Sequence, residues 1–469
     1  MKLKPVKIIA GAAVLAAMLI APLNQEASAD RGHWMPIEVN IDGKILALPV
    51  DPVTQSGTTL VPMRAIFEAL GAKVTWDSKT KKVTGKKGST TVELTIGSKT
   101  ARLNGQASQL LAAPQIIEGN TMIPLRYVSE SLGMHVGWYE SERQVYIATN
   151  DKPVEGTTMA SIKALYDKYA PTYTGPRFVE EPSLVVPYKP GKLADGFLQN
   201  GLKATNFVRE MVGLTPVILD SEMNKSAQYG AVLLTSLRQL THTPTQPADM
   251  DSEFYNTGYY ATTHSNIGSH HEIDAPATLV DAVKDYMLDW NTPSLGHRRW
   301  ILNPHLNKIG FGLSTFMDKN EVLGPTPMSF DVMNVLDESQ SNPSDYDYIA
   351  WPSKGYFPVS WLGHTYKWSV TLNPAKYQQP NLDQVHGTVT NLTDGTVLEI
   401  KPENWMTNGV NDENYGEGSI IYFVTMPYED DRFFDAPIPG HEFVVELSGI
   451  YKTDGTPATV KYTVKLFAM

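Results

Sequence analysis

Histidines are unusually concentrated in one part of this 469-residue chain. Six of the eleven lie between positions 242 and 305: His242, His264, His270, His271, His297 and His305. One of them stands in the block Gly296-His297-Arg298-Arg299, directly after a helical pattern. Imidazoles are the usual general bases at neutral pH and are common metal ligands, so this segment is where a catalytic or metal site is sought.

No complete hydrolase or nucleotide-binding signature accompanies these histidines. The chain has no Gly-x-Ser-x-Gly elbow, no His-Glu-x-x-His, no P-loop and no Rossmann glycine pattern. It also has no cysteine, which excludes disulfides, thiolate metal sites and cysteine nucleophiles. The catalytic residues therefore stay unknown at this level.

The amino terminus predicts export. Lys2, Lys4 and Lys7 precede an apolar run, and Ala27-Ser28-Ala29 offers small residues for cleavage, so residues 1–29 are interpreted as a signal peptide. Its removal takes away three lysines and Glu26 and moves the formal charge from −11 to −13. We expect a secreted, extracellular protein, and association with the cell wall is one alternative within this prediction. No integral membrane segment is expected after cleavage, and the acidic balance argues against a nucleic-acid partner.

An internal repeat organises the first part of the mature chain. Residues 61–71 recur as residues 123–133, and Trp76 and Trp138 continue the match at the same offset of 62 residues. Each copy predicts a strand, a short helix opened after proline and closed by glycine, and a hairpin. We expect Arg64 and Arg126 to form ion pairs with Glu68 and Glu130. The pattern resembles the copper amine oxidase N-terminal domain, a stalk domain of exported bacterial proteins, over residues 30–149.

A proline-rich stretch follows at residues 150–190 and is interpreted as a linker, with a brief helix over Met159–Tyr169. Beyond it, helical patterns run to Met211, from Asp220 to Leu240 and from Pro276 to Trp290. From residue 319 to residue 469, short β-branched runs alternate with Asp394-Gly395 and Asp454-Gly455 turns, which predicts a β-sandwich.

Residues 191–318 carry an ordered set of short motifs: Asn206-x-x-Arg209, Gly213-Leu214-x-Pro216, Asn266-Ile267, Gly296-His297-Arg298 and Ile309-Gly310-x-Gly312. Together they resemble the CAP superfamily of cysteine-rich secretory, venom-antigen and pathogenesis-related proteins. The resemblance implies an α-β-α sandwich, so the whole chain is expected to be multidomain α+β: a small repeat α/β stalk domain, this sandwich and a C-terminal β-sandwich.

The resemblance also implies a cleft in which two histidines and two acidic residues meet. His242 and His297 match the histidines, and Asp289 matches one acid. Ser265 stands where the family commonly has glutamate, with His264 beside it. The expected ligand-binding cleft is thus His242, His264, Ser265, Asp289 and His297, with zinc or another divalent cation as an optional cofactor on His242, His297 and Asp289.

Three functions remain open from the sequence. The first is binding of a small apolar ligand or a cell-wall component at this cleft. The second is a metal-assisted hydrolase or protease at the same place. The third is a purely structural or adhesive module of the envelope.

Overall fold

A computed structural model describes residues 36–139, 143–149, 155–273, 275–289, 292, 294–320, 324–341, 343, 345–362, 367–381, 383–400, 408–411, 419–423 and 439–469. The predicted signal peptide, residues 1–29, lies outside this set. Three structural units follow one another along the chain. The repeat domain has its own apolar core, whereas one large apolar cluster joins residues of the central and C-terminal units. The chain is multidomain α+β, as the sequence predicted.

The repeat domain, residues 36–149, contains two short helices and three sheets. Its strands are β1 Glu38–Ile41, β2 Lys44–Ile45, β3 Val53–Gln55, β4 Thr58–Pro62, β5 Lys73–Asp77, β6 Lys82–Lys87, β7 Thr90–Thr95, β8 Thr100–Leu103, β9 Gln106–Gln109, β10 Gln115–Ile117, β11 Asn120–Pro124, β12 His135–Tyr139 and β13 Gln144–Ala148. Its helices are α1 Met63–Ala69 and α2 Leu125–Ser131. The sheet orders are β12-β13-β1-β2, β10-β11-β4-β3 and β5-β6-β7-β8-β9.

The two copies of the repeat meet through their equivalent strands. β4 and β11 pair antiparallel, and Val61 lies opposite Ile123, its counterpart at the offset of 62 residues. Neither copy is large enough to bury a core alone, so the shared cluster that includes Phe67, Val83 and Val145 closes both. The ion pair expected between Arg126 and Glu130 is present, with Nη1 and Oε1 3.4 Å apart.

The central unit, residues 155–336, is a sheet covered by helices on both faces. Its strands are β14 Phe178–Glu180, β15 Lys192–Leu193, β16 Ile218–Leu219, β17 Ser265–His271, β18 Lys308–Asn320 and β19 Gly324–Asn334. Its helices are α3 Met159–Tyr169, α4 Asp195–Met211, α5 Ser221–Leu237, α6 Ser252–Thr263, α7 Leu279–Leu288 and α8 Gly296–Ile301. The main sheet has the order β16-β18-β19-β17.

Alternation along the strands supplies both faces of this sheet. Phe311 and Met333 join the core formed with α4 and α7, whereas Phe330 and Val332 pack in a second cluster with Ala227 of α5. Gly312 lets α5 approach, because a Cβ at this position would lie 2.2 Å from the Ala227 carbonyl oxygen. The expected α-β-α sandwich therefore rests on two separate apolar layers.

Two features of this unit differ from the expected boundaries. The segment interpreted as a linker over residues 150–190 contains α3, as predicted, but α3 contributes Met159 and Ile162 to the central core. A partly buried ion pair also joins Arg177 to Glu272, with Nη1 and Oε1 2.6 Å apart. The expected boundary at residue 318 falls inside β18, which pairs with β19 as one long hairpin. The prolines of residues 150–190 thus leave room for α3 and for β14, and α3 packs on the central core.

The C-terminal unit, residues 345–469, is a two-sheet β-sandwich, as predicted. Its strands are β20 Tyr348–Trp351, β21 Gly355–Pro358, β22 Lys367–Leu372, β23 His386–Asn391, β24 Val397–Ile400, β25 Asn408–Asn411, β26 Ser419–Phe423, β27 Glu442–Tyr451 and β28 Pro457–Phe467. The sheets are β20-β22-β26-β25 and β21-β28-β27-β23-β24. Trp368 and Phe443, one from each sheet, meet edge to face at 5.5 Å in the core.

Candidate functional site

The Gly296-His297-Arg298 block forms the start of α8, and Arg298 fixes its position. The Arg298 guanidinium is buried and donates from Nε to the carbonyl oxygen of Met287 at 2.6 Å and from Nη2 to that of Leu288 at 3.2 Å. These carbonyls belong to the last turn of α7, where carbonyl oxygens accept no hydrogen bond from within the helix. Arg298 therefore ties α8 to the end of α7, and capping of helix carbonyls is the role expected for it.

His297 is held by an acidic residue at that same helix end. Its Nδ1 lies 2.9 Å from Oδ1 of Asp289, the C-cap residue of α7. The second carboxylate oxygen of Asp289 accepts the backbone N–H of Arg298 at 3.2 Å. The Asp289 side chain is fully buried, whereas 24% of the His297 side chain is exposed. A buried acceptor thus orients a partly exposed imidazole.

His242 is held in a similar way by a backbone oxygen. Its Nδ1 lies 2.6 Å from the carbonyl oxygen of Thr262, in the last turn of α6. A carbonyl oxygen can only accept, so this contact assigns the proton of His242 to Nδ1. Both matched histidines are therefore anchored through Nδ1, and Nε2 is the nitrogen that a ligand could contact.

The short segment from Thr262 to Asn266 links the two histidines. Thr262 anchors His242, and four residues later Asn266 Nδ2 donates to the carbonyl oxygen of His297 at 3.0 Å. The end of α6 thus contacts the His242 ring, and the start of β17 contacts the backbone of His297.

His264 and Ser265, which follow Thr263 at the end of α6, have different surroundings. His264 stacks on the exposed ring of Tyr260 at a centroid distance of 4.2 Å, and its Nδ1 lies 2.9 Å from the Tyr260 carbonyl oxygen. Ser265 is buried, and its Oγ has no hydrogen-bond partner among the described residues. Ser265 is therefore not activated by an imidazole, and His264 belongs to the surface of α6.

These residues do not fit a divalent cation. Both carboxylate oxygens of Asp289 are occupied by His297 and by the Arg298 backbone, and serine replaces the second acid. Within the described ranges, no three His, Cys, Asp or Glu side chains converge as a metal site. A zinc site needs at least three protein ligands. The role of Asp289 as a metal ligand stays a prediction, and its contacts with His297 and the Arg298 backbone are those of a partner that orients His297.

A second polar cluster lies beside the histidines and was missed by the sequence analysis. Tyr286 of α7 tilts against the His297 ring at 5.2 Å, and its hydroxyl donates to Asp331 of β19. The other Asp331 oxygen lies 3.0 Å from Nε2 of His270, while Nδ1 of His270 lies 3.3 Å from Asp285. His270 is on β17, and strand alternation turns it to the same face as Asn266. Only the pairing of β17 with β19 and the packing of α7 reveal this cluster.

The carboxylates change the titration of His270. Burial by itself lowers the pKa of this imidazole, but the hydrogen bond to Asp331 and the negative charges of Asp331, Asp285 and Asp281 raise it to about 9. Burial also raises the pKa of the Tyr286 hydroxyl. At neutral pH the cluster therefore holds a protonated histidine between two aspartates.

Among the cavities formed by the described residues, two have linings that do not include these histidines. One of about 630 Å³ is a groove in the repeat domain. The other, of about 250 Å³, is lined by aromatic and apolar side chains between α3, α4, α7 and the C-terminal unit, including Phe207, Trp361 and Met469. Neither is lined by His242, His297 or Asp289. Within the described residues, no helix combines the length and the apolar character that a membrane crossing requires.

Comparisons with known proteins identify two domains. The family described as "Copper amine oxidase N-terminal domain" matches residues 40–147, and the family described as "Cysteine-rich secretory protein family" (CAP) matches residues 202–323. The chain thus carries both domains that its motifs indicated. A protein of Brevibacillus choshinensis named "Protease inhibitor" is 27% identical over 158 residues, which is 34% of this chain and 48% of the relative. The chain spans about half the length of this curated relative, and no solved structure matches it.

Proposed function

We propose that this is an exported protein of the cell envelope whose central unit binds an envelope component through His242 and His297. Export is supported by the lysines, apolar run and small residues of the first 29 positions. The copper amine oxidase N-terminal domain supports a modular protein that holds the central unit away from its point of attachment.

The anchoring of both imidazoles through Nδ1 is the observation that carries this proposal. A neutral histidine whose Nδ1–H is donated presents Nε2 as an acceptor, and a protonated one presents it as a donor. Two such nitrogens, on His242 beside the end of α6 and on His297 beside the start of β17, suit a ligand with hydroxyl or amide groups. The stacked pair of Tyr260 and His264 adds an exposed aromatic surface at the end of α6.

These groups favour a polar ligand over the small apolar one that the sequence left open. The apolar cavity, with Phe207 and Trp361 in its lining, lies away from the histidines. A hydrolase at the histidines is the weaker alternative, although Asp289 does orient His297 as a general base would be oriented. Ser265 makes no hydrogen bond to an imidazole, and the residues do not fit a catalytic cation.

The test is retention of the mature protein on purified envelope fractions, compared with the double variant His242→Ala, His297→Ala. We expect the double variant to lose retention while its circular dichroism spectrum is unchanged. His386→Ala is the matched control, because His386 is exposed on β23 of the C-terminal unit. Undiminished retention of the folded double variant would refute the proposal. Turnover of a peptide or ester panel that the double variant abolishes would establish the hydrolase instead.

Inhibition of a protease is a second candidate function. It is favoured by the name of the relative and by a compact loop at residues 183–189. Ser183 and Lys189 close this loop with two backbone hydrogen bonds of 2.9 and 3.2 Å, and the loop exposes 68% of Val185 and 57% of Val186. Tyr188 anchors it by donating its hydroxyl to Asp249 at 2.9 Å.

A panel of extracellular proteases tests this second function. If the loop enters a protease cleft, Val185→Asp should abolish inhibition, and Val179→Asp, at an equally exposed valine outside the loop, should preserve it. The histidine variants should leave inhibition unchanged. Lack of inhibition by the unaltered protein would dismiss this function without affecting the envelope-binding proposal.

A further inference from the structure

The repeat domain contains a groove of about 630 Å³ that is lined by β3 and β4 of the first copy and by residues 109–145 of the second. Small-molecule sites in proteins have volumes of roughly 300 to 1,000 Å³, with an apolar lining and a few polar groups. The lining of this groove likewise combines apolar residues with a few polar ones. Its lining combines Tyr127, Trp138 and Leu111 with the threonines of β4 and with Gln109.

The second copy of the repeat shares Arg126, Glu130 and Trp138 with the first, but it differs at Tyr127 and Arg143, which line this groove. Tyr127 occupies the position of Ala65, and its hydroxyl lies 2.6 Å from Ser108 Oγ, which fixes the ring. Trp138 is half-buried in the groove, whereas its counterpart Trp76 is 40% exposed. Tyr127 therefore places a second aromatic ring beside Trp138, and the first copy has no counterpart for that ring.

The charged lining is positive on balance. Two arginines, Arg126 and Arg143, stand against one glutamate, Glu130, in a chain whose formal charge is −11. Arg126 is held in place because its Nη1 donates to the carbonyl oxygen of Val136 at 2.7 Å and lies 3.4 Å from Glu130. A positive groove in an acidic protein complements an anion, and a guanidinium can bind a carboxylate with two parallel hydrogen bonds.

We propose that this groove binds an oligosaccharide that carries carboxylate groups. The rings of Tyr127 and Trp138 pack against the C–H face of a sugar, Gln109 and the threonines of β4 contact its hydroxyl groups, and Arg143 contacts the carboxylate. The stalk then serves as an attachment site for acidic glycan as well as a spacer. This assignment is independent of the histidines of the central unit.

Isothermal titration of the full mature protein tests the proposal with three probes: a uronic-acid oligosaccharide, a glycan containing N-acetylmuramic acid, and a neutral N-acetylglucosamine oligomer. We expect one or both acidic glycans to bind and the neutral oligomer to bind at least tenfold more weakly. The acidic probe that binds identifies the source of the carboxylate. Since a hydrogen bond to a charged group contributes about 1.5–3 kcal/mol, Arg143→Gln should weaken binding about tenfold or more.

The first copy of the repeat provides matched controls. Lys81 is the counterpart of Arg143 and has a similar positive φ, 53° against 48°, so Lys81→Gln makes an equivalent change outside the groove. Tyr127→Ala installs the residue that the first copy already has, and it should also weaken binding. The proposal is overturned if neither acidic glycan binds, if the neutral oligomer binds equally well, or if Lys81→Gln is as damaging as Arg143→Gln. The double histidine variant should bind these glycans normally, so the two proposals fail separately.

Discussion

His270 should make the stability of the central unit depend on pH. The imidazole is nearly buried, with 12% of its side chain exposed, and Asp331 and Asp285 raise its pKa from 6.5 to about 9. One pKa unit corresponds to 1.36 kcal/mol, so this rise corresponds to about 3 kcal/mol in the free energy of unfolding. Because the folded state has the higher pKa, the contribution is fully present below pH 6.5 and is lost as the pH rises toward 9.

The assay is thermal unfolding of the protein and of His270→Gln, followed by calorimetry between pH 6 and pH 9. Glutamine can keep hydrogen bonds to the aspartates but has no charge to lose in this range. The stability advantage of the unaltered protein should therefore shrink by about 3 kcal/mol across the interval. Taking the difference between the two proteins removes the pH dependence of the other domains.

Two results would refute this reasoning. A stability difference that stays constant from pH 6 to pH 9 would show that His270 does not change protonation between the folded and unfolded states. A difference that grows with pH would mean that the folded state favours the neutral imidazole, so that burial outweighs the two carboxylates. Asp331→Asn provides a check from the other partner, since it should lower the pKa of His270 measured by NMR.

Three further predictions concern stability. Arg209→Met should lower the free energy of unfolding, measured by urea titration, by about 3–5 kcal/mol. The reason is that Arg209 is buried and donates to the carbonyl oxygens of Ile301 and Asn303 at 2.6 and 2.8 Å. An unchanged urea midpoint would show that water takes over the hydrogen bonds of the guanidinium. Gly312→Val should lower the melting temperature by several degrees or prevent folding, since its Cβ would clash with α5, whereas Ser269→Val on an exposed position of β17 should be tolerated. Dialysis against a chelator should leave the melting temperature unchanged, and a fall that zinc reverses would contradict the absence of a cation site from the described residues.

Local sequence patterns were sufficient where structure depends on neighbouring residues. The capping of α5 by Asp220, which accepts from the N–H groups of Glu222 and Met223, follows from an acceptor placed before an apolar helical pattern. The Asp394-Gly395 and Asp454-Gly455 turns lie between paired strands because glycine accepts the positive φ that these turns require. The repeat was equally clear, since one offset relates its helix, tryptophan and valines.

Local patterns were insufficient where a decision depended on packing over long separations. The prolines of residues 150–190 suggested a free linker, but Met159 and Ile162 of α3 still found apolar partners in the central core. The end of the central unit was placed too early because β18 continues into a hairpin whose partner strand lies beyond residue 318. The groove of the repeat domain was not foreseen, since it forms from β4, α2 and β12 only when the two copies pair.

The order of residues alone predicted that His242, His297 and Asp289 follow one family pattern and that Ser265 interrupts it. It also indicated that two small copies share a core. The tertiary structure decided what those side chains can do. Asp289 forms hydrogen bonds with His297 and with the Arg298 backbone, and the Thr262 carbonyl oxygen accepts from His242. His270 lies between Asp285 and Asp331. The physical reason is that hydrogen bonds and charge interactions act over a few ångströms, and strand pairing and helix packing set which residues come that close.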